Sequence, residues 1–476
     1  MSLKNFLDYL DKNSLEKKPH QIDAVTWCIK RELYGILCNK KIVKGGLIAD
    51  EMGLGKTIEI IGTIVSNIKK TLIVVPRCLL EQWKKIIIET TDKSILLFHG
   101  QKREKDIEII KNYDIVLTTY NIIALNKKNE NILYNIKWER IIFDEAHHMR
   151  NSNINIFKGA KKLKSEIRWL LTGTPIQNSK KDFYSLCEQI GLENKYYTNP
   201  KNLCIIAKNF ILKRTKKEIN LDLPNIHNIE IKVDWESNEE KILSKEIHSK
   251  LGFSNIKESP LKVGNDFGNT YLPLIMRAKQ CCVYPPMLKN KALEIIDKYI
   301  IDTDKIDTDK IELKNILLDG TKNTSKINKV INIIVERKDN NNKKIIFCTF
   351  RSEIDYIEER LKKDKIKIKK FDGRTNENER KKILEDKNLD ILILQIQTGC
   401  EGLNLQHFNE VYFVSSHWNP AIEDQAIARV YRIGQKKDIY IFKFTMNNFD
   451  DDEDISLEKY IINVQDNKRE LRSIIE

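Results

Sequence analysis

Ala49-Asp50-Glu51-Met52-Gly53-Leu54-Gly55-Lys56-Thr57 is the stretch around which the rest of the chain is organised. The apolar run Gly46-Leu47-Ile48-Ala49 that leads in reads as a buried strand. Thr57 to Ile68 then carries apolar residues at helical spacing. Strand, glycine-containing loop, Gly-Lys-Thr and helix make a phosphate cradle. Gly53 and Gly55 let backbone N–H groups approach the phosphates, and Lys56 reaches the β and γ oxygens. Thr57 offers a hydroxyl to Mg2+, and the helix N-terminus favours the anion. Asp50 stands where the strict motif has its first Gly, so on these residues alone a Gly-rich turn before an ordinary helix stays open.

At 476 residues the chain predicts two or three domains, and 41% hydrophobic residues suffice for sizeable cores. No run of 18 apolar residues occurs, so no membrane span is expected. The start, Met1-Ser2-Leu3-Lys4-Asn5-Phe6 followed by Asp8 and Asp11, does not read as a secretion signal. Nine cysteines are scattered without a CxxC pair, which argues for free thiols rather than disulfides or zinc. A net charge of +14 favours a polyanionic partner, nucleic acid first. A general excess of lysine on a solvated surface is the plainer alternative.

Residues 1–44 read as helical, with Lys18-Pro19-His20-Gln21 opening an amphipathic run. The Gln21 amide can both donate and accept, as reading an adenine edge requires; on its own it reads equally as a surface residue. Strands are predicted at 71–76, 95–98, 114–120, 140–143 and 167–171, alternating with helices such as 79–89. That alternation implies a mainly parallel sheet with ligands at the C-terminal ends of its strands. Asp144 and Glu145 sit where one buried strand stops. Asp144 suits the shell of a Mg2+ ion, and Glu145 suits the task of orienting or deprotonating an attacking water.

Residues 179 to about 340 read as helical, charged and poor in strand signals. They contain the repeat Ile301-Asp302-Thr303-Asp304-Lys305, Ile306-Asp307-Thr308-Asp309-Lys310, which reads as a solvated loop because the Gly and terminal Glu of a calcium loop are missing. A second α/β block follows. Its strands are predicted at 344–350, 366–371, 389–397, 410–415 and 439–444, with helices at 352–362, 378–385 and 421–432 and a last helix reaching Glu476. The acidic run Asp450 to Asp454 before that helix reads as a solvated loop. This block lacks a Gly-Lys-Thr of its own, so one nucleotide held between two blocks is expected. Arg429 and Arg432, three apart on one predicted helix, would share a face and be placed to act as arginine fingers; on spacing alone a pair of surface residues stays equally open.

Taken together these residues resemble a SWI/SNF-type ATP-dependent DNA translocase of helicase superfamily 2. Carrying the resemblance are Pro19-His20-Gln21, Asp50 to Thr57, Asp144-Glu145-Ala146-His147, Leu171 to Asn178, Gly402-Leu403-Asn404-Leu405-Gln406, Trp418-Asn419-Pro420-Ala421 and Gln425 to Gln435. Trp27 to Glu32, Gly45 to Ala49 and Met276 to Pro285 resemble more narrowly the branch of helicase-like transcription factor and transcription termination factor. Many members of that branch carry a zinc RING, and residues 179–342 lack the Cys/His array for one. The chain departs from the family at Thr398-Gly399-Cys400 and at Tyr431, where His is usual.

The resemblance implies an α/β fold of two RecA-like lobes, parallel sheets flanked by helices, over residues 1–225 and 226–476. Helical insertions are expected at about 180–225 and 235–325, with a C-terminal helix bracing the lobes. It implies ATP and Mg2+, with Gln21, Asp50, Gly53, Gly55, Lys56, Thr57, Gly402 and Gln425 at the nucleotide, and Thr57 and Asp144 at the metal. Lys56, Asp144, Glu145, Arg429 and Arg432 would carry catalysis. Arg77, Gln82, Trp83, Thr118, Thr119, Tyr120, Arg351, Arg374 and Thr398 would touch DNA, mainly its backbone, so sequence preference should be weak. The expected activity is DNA-stimulated ATP hydrolysis coupled to stepping along double-stranded DNA, which remodels or displaces bound proteins; a strand-separating DNA or RNA helicase is the alternative. A monomer acting with a targeting partner, without a membrane, is expected inside the cell: in the nucleus or, for a viral chain, in the virion or at a cytoplasmic replication site.

Overall fold

The computed structural model describes residues 3–126, 131–176, 180–249, 251, 272–289, 307–364, 366–386, 388–399, 403–449 and 456–475. It divides into two units, Met1–Asp222 and Leu223–Glu476.

The strand before the phosphate loop, Lys41–Ile48 (β2), is the hub of an eight-stranded sheet in the first unit. The other strands are Ile36–Cys38 (β1), Thr71–Val75 (β3), Ile95–Leu97 (β4), Ile115–Thr119 (β5), Lys137–Asp144 (β6), Lys164–Leu171 (β7) and Ile211–Leu212 (β8). Their order is β1-β2-β7-β6-β3-β5-β4, with β8 also on β2. All pairs are parallel except β1 with β2. Thr71-Leu72-Ile73-Val74-Val75 is buried throughout, as a central parallel strand covered on both faces must be. One face packs Ile48, Ile73, Ile142 and Trp169 against Phe6, Val25 and Ile60, which lie on helices Leu3–Lys12, Pro19–Leu33 and Lys56–Ser66.

Residues 1–44 are helical only to Leu33. Ile36–Cys38 and Lys41–Val43 form a hairpin instead. Asn39 and Lys40 both have positive φ, 44° and 67°, which fits the two-residue turn that matches strand twist.

The second unit carries a six-stranded, all-parallel sheet ordered β11-β12-β10-β13-β14-β9. These strands are Ile226–Val233 (β9), Lys344–Cys348 (β10), Ile368–Phe371 (β11), Ile391–Gln395 (β12), Glu410–Phe413 (β13) and Ile439–Met446 (β14). β9 corrects the expectation of a strand-poor stretch from 179 to 340: Ile229, Ile231 and Val233 alternate at the strand period, and the segment pairs along all of β14.

Two helix readings also change. The helix expected over 421–432 spans Pro420–Val430, because Tyr431 leaves helical geometry at φ −92°, ψ 85°. The second copy of the Asp-Thr-Asp repeat is no loop, for Asp307 starts the helix Asp307–Gly320; the first copy and the acidic run at 450–454 lie outside the described residues. The final helix, Leu457–Ile475, buries Leu457, Tyr460 and Ile461 against Leu243, Ile247 and Leu274 of the same unit. Its Glu458 makes a buried ion pair with Lys326, and Gln465 Nε2 donates to Glu423 Oε1 at 2.7 Å.

Candidate functional site

β2 delivers the chain to a loop that only glycine could turn. Gly53 and Gly55 have φ of 93° and 98°, and a Cβ on Gly55 would stand 2.3 Å from Gln21 Nε2. Lys56 is the first residue of the helix that follows, and Thr57 comes next, partly exposed. The Lys56 ammonium donates to Asp50 O at 2.7 Å, so the loop carbonyl holds it in place. Burial pulls its pKa down, while Glu145, Asp50, Glu59 and Asp144 pull it up. Gln21 Nε2 donates to Leu54 O at 3.0 Å, and His20 Nε2 lies 3.1 Å from the same oxygen. The helix Pro19–Leu33 therefore fixes the loop from outside.

β6 delivers the two acids. Trp83 Nε1 donates to Asp144 Oδ2 at 2.7 Å, and the Glu145 N–H donates to Asp144 Oδ1 at 2.9 Å. Tyr120 donates its hydroxyl proton to Asp144 O at 2.7 Å. Burial, then the neighbouring Glu145, raises the Asp144 carboxyl above the ordinary aspartate range. Glu145 adopts φ 50°, an uncommon conformation for a residue with a side chain and one that accumulates at functional sites. Its carboxylate lies 3.4 Å from His147 Nδ1, and that nitrogen lies 3.4 Å from Thr172 Oγ1. Thr172-Gly173-Thr174, after β7, joins the phosphate loop from the other side: a Cβ on Gly173 would stand 2.6 Å from Met52 Cγ and 3.5 Å from Lys56 Nζ. Loop, acids and Thr172 thus converge at the C-terminal ends of β2, β6 and β7.

The carboxylate of Asp50 does not face the cradle. Arg214 Nε donates to both its oxygens at 3.1–3.2 Å, and Nη2 also reaches it. The same guanidinium donates to Glu59 Oε1 at 2.8 Å and to His20 O. Asp50 and Glu59 are fully buried. Asp50 therefore enters the cradle only through its carbonyl, and Arg214 is a positioning residue that sequence reasoning missed. Arg214 lies 164 positions from Asp50, in a stretch taken for helical insertion, and nothing local marks it.

Four of the residues expected at DNA are buried and are corrected here. Thr118 Oγ1 donates to Phe98 O at 2.9 Å, and Thr119 Oγ1 lies 3.5 Å from His99 Nδ1. Tyr120 and Trp83 hold Asp144. Side chains closed off from solvent in this way do not reach a phosphate. Arg77, Gln82, Arg351 and Arg374 are exposed, and Arg374 is held by Asp355 and Asp372. Thr398 lies in the short helix Ile396–Gly399, its side chain outside those described, and Gly402 lies outside the described residues.

In the second unit, Arg429 is on the helix Pro420–Val430 and Arg432 lies beyond its end, so the shared helical face does not hold. They are nonetheless neighbours: burial and then the charge of Arg429 lower the Arg432 pKa. Arg432 Nε and Gln425 Nε2 are buried with no hydrogen-bond partner among the described residues. Unmatched buried donors beside two positive charges fit an anionic ligand.

Comparison with known proteins decides the family. Residues 20–287 match the SNF2-related domain, and residues 325–434 match the helicase conserved C-terminal domain. The chain belongs to the SNF2-related family of helicase-like ATPases. Transcription termination factor 2 of Drosophila melanogaster is 26% identical over 95% of this chain and 56% of its own length. A probable global transactivator of Orgyia pseudotsugata multicapsid polyhedrosis virus is 26% identical over 94% of this chain and 89% of its own. The SWI2/SNF2 ATPase core of Sulfolobus solfataricus, solved in complex with double-stranded DNA, is 24% identical with a TM-score of 0.40, covering 90% of this chain and 88% of that one. The chain spans about half the length of the first curated relatives it matches. Among the described residues no helix is long and apolar enough to cross a membrane.

Proposed function

We propose that this SNF2-related chain is an ATPase stimulated by duplex DNA, which steps along double-stranded DNA and so remodels or displaces bound proteins in chromatin, transcription or repair. The observation that carries the reading is the meeting of Lys56 with Asp144 and Glu145 at the strand ends of a parallel sheet. In this reading the amides of Gly53 and Gly55 line the phosphates, Lys56 leaves Asp50 O for the β and γ oxygens, and Gln21 lies on the adenine side. Glu145 takes a proton from a water whose oxygen bonds the γ-phosphorus. The bond to the bridging oxygen breaks, and its electron pair stays on ADP. Arg429 and Arg432 would act as arginine fingers on the γ-phosphate, and Gln425 and Gly402 would contact the nucleotide. The donor set, a hydroxyl and a carboxylate, fits Mg2+, which would be held by Thr57 and Asp144 and would neutralise phosphate charge.

Arg77, Gln82, Arg351, Arg374 and Thr398 are the proposed DNA-backbone contacts, consistent with a net charge of +14. We further propose a monomer brought to its site by a targeting protein, working in the nucleus or, for a viral source, in the virion or at a cytoplasmic replication site. The test is the steady-state ATPase rate without nucleic acid and with duplex DNA, single-stranded DNA or RNA, at two salt concentrations. Strong stimulation by duplex DNA that falls with salt is expected. A preference for RNA or single strands would move a strand-separating helicase ahead, and no stimulation would uncouple the site from nucleic acid.

A further inference from the structure

Four of the ten large apolar side chains exposed among the described residues fall within ten positions of one another: Leu33 (38%), Tyr34 (75%), Leu37 (72%) and Ile42 (58%). They form one patch. Leu37 pairs directly with Ile42 across the β1–β2 hairpin, so both side chains leave the same face. Gly35, at φ 63°, brings the end of the helix Pro19–Leu33 under Ile42, since a Cβ there would stand 2.5 Å from Ile42 Cγ2. Cys38 and Val43, the opposite face of the hairpin, are buried. The outward face is where an edge hairpin normally puts polar residues, so apolar ones there ask for a partner.

β1 is also the edge of its sheet. With a two-residue turn at Asn39-Lys40, Cys38–Lys41 and Ile36–Val43 are the hydrogen-bonded pairs and Leu37–Ile42 the non-bonded one. The Leu37 N–H and C=O therefore point away from β2, toward the open edge. The rim is cationic. Lys30 shares a helix side with Leu33 and Tyr34, and Lys40 and Lys41 form and follow the turn. Arg31 lies over the Trp27 ring at 5.4 Å, and burial lowers its pKa. None of these four has an acidic partner among the described residues, and the nearby Glu193 takes a hydrogen bond from Asn39.

We propose that the β1 edge binds an extended segment of another protein in which apolar and acidic residues alternate, by adding it as a further strand. Its main chain would pair at Leu37, its apolar side chains would cover Leu37 and Tyr34 on the outward face, and its acids, on the opposite face of the strand, would meet Lys41 beside the turn at Lys40. The cations argue against a second copy of this chain, because edge-to-edge pairing would bring like charges together. The surface gives the proposed targeting partner a docking place, and it stands or falls without the ATPase reading.

The probe is a fluorescein-labelled peptide alternating valine with aspartate, titrated into the full chain and followed by anisotropy. Expected are saturable binding that weakens with salt, no binding of a valine–lysine counterpart, and at least about tenfold loss for the double variant Leu37→Glu, Ile42→Glu. N-methylation of alternate peptide amides should abolish binding, because it removes the ladder and leaves the side chains. Equal binding of the N-methylated peptide would overturn strand addition; equal binding of the lysine peptide would overturn the charge argument. No binding of either would overturn the site. Sedimentation of the wild type as a dimer that the double variant turns into a monomer would assign the patch to a second copy and sink the proposal. Both substituted positions are exposed, so an unchanged melting temperature should accompany each result.

Discussion

Replacing Arg214 with alanine should destabilise the first unit beneath its phosphate loop. The guanidinium is the shared partner of Asp50 and Glu59, two acids with no access to solvent, and it also ties down His20 O. Truncating one side of a buried ion pair costs about 3–5 kcal/mol, because the remaining charge keeps its desolvation penalty. Protonation of one acid relieves part of this. Burial and the charge of Asp50 already hold the Glu59 pKa up, against Arg214. The lower end, about 3 kcal/mol, is therefore the expected loss, or about 6–12 °C in melting temperature for a unit of this size. Acids whose folded pKa is raised contribute stability that is present below their unfolded value and lost as pH rises. The wild-type Glu59 pKa is already up at about 8 and loss of Arg214 raises it further, so the two proteins lose its stabilisation alike below that value and the gap between them should widen as pH rises above about 8. Arg214→Lys should recover only part of the loss, since an ammonium cannot fork to two carboxylates. Calorimetry measures the shift, and hydrogen exchange across residues 49–66 locates it. A drop of less than about 2 °C, or a gap that narrows toward alkaline pH, would refute the reasoning.

Glu145→Gln should retain ATP binding with turnover reduced by about 10²–10⁴, read from single-turnover kinetics; wild-type turnover would remove Glu145 as the base. Arg432→Ala should lower the ATPase rate by about 10³–10⁵ with duplex DNA affinity nearly intact, and a normal rate would exclude it from the site. Trp83→Phe should cost about 2 kcal/mol of stability and lower kcat through the lost bond to Asp144, while the salt slope of DNA binding stays unchanged; a shallower slope would return Trp83 to the DNA surface. Burial pushes the Glu353 pKa up to about 7 despite two N–H donors from Thr349 and Phe350. Its contribution is present below about pH 4.5 and is lost as pH rises through about 7, on the order of 3 kcal/mol. Glu353→Gln should flatten that slope in denaturation curves taken across the window; an unchanged slope would place the titration elsewhere.

The parts of the site that lie within one strand-to-loop turn were legible from residue order. Lys56 and Thr57 follow two glycines, and Asp144 and Glu145 end an apolar run, because the chemistry there depends on local geometry. What was not legible depends on distance along the chain or on burial. Arg214 closes over Asp50 from far downstream, and no local pattern announces it. Thr118-Thr119-Tyr120 sits at the end of a strand whose neighbours on both sides shut it in. Arg432 falls outside its helix because Tyr431 ends it, although no Gly or Pro marks the break. Ile226–Val233 alternates at the strand period only over its last five residues, too short a run to stand out within a charged, lysine- and asparagine-rich stretch.

The pairing of β9 with β14 sets how this fold takes a change of length. The first strand of the second unit lies beside its last, so the sheet is already fastened at both chain ends before residues 234–343 are considered. That intervening stretch leaves the sheet from an edge strand and returns to an interior one, β10. Additions within it lengthen an excursion and leave the strand order untouched. A change of length at this position therefore reaches the sheet only through loops, and the parallel strand order survives it.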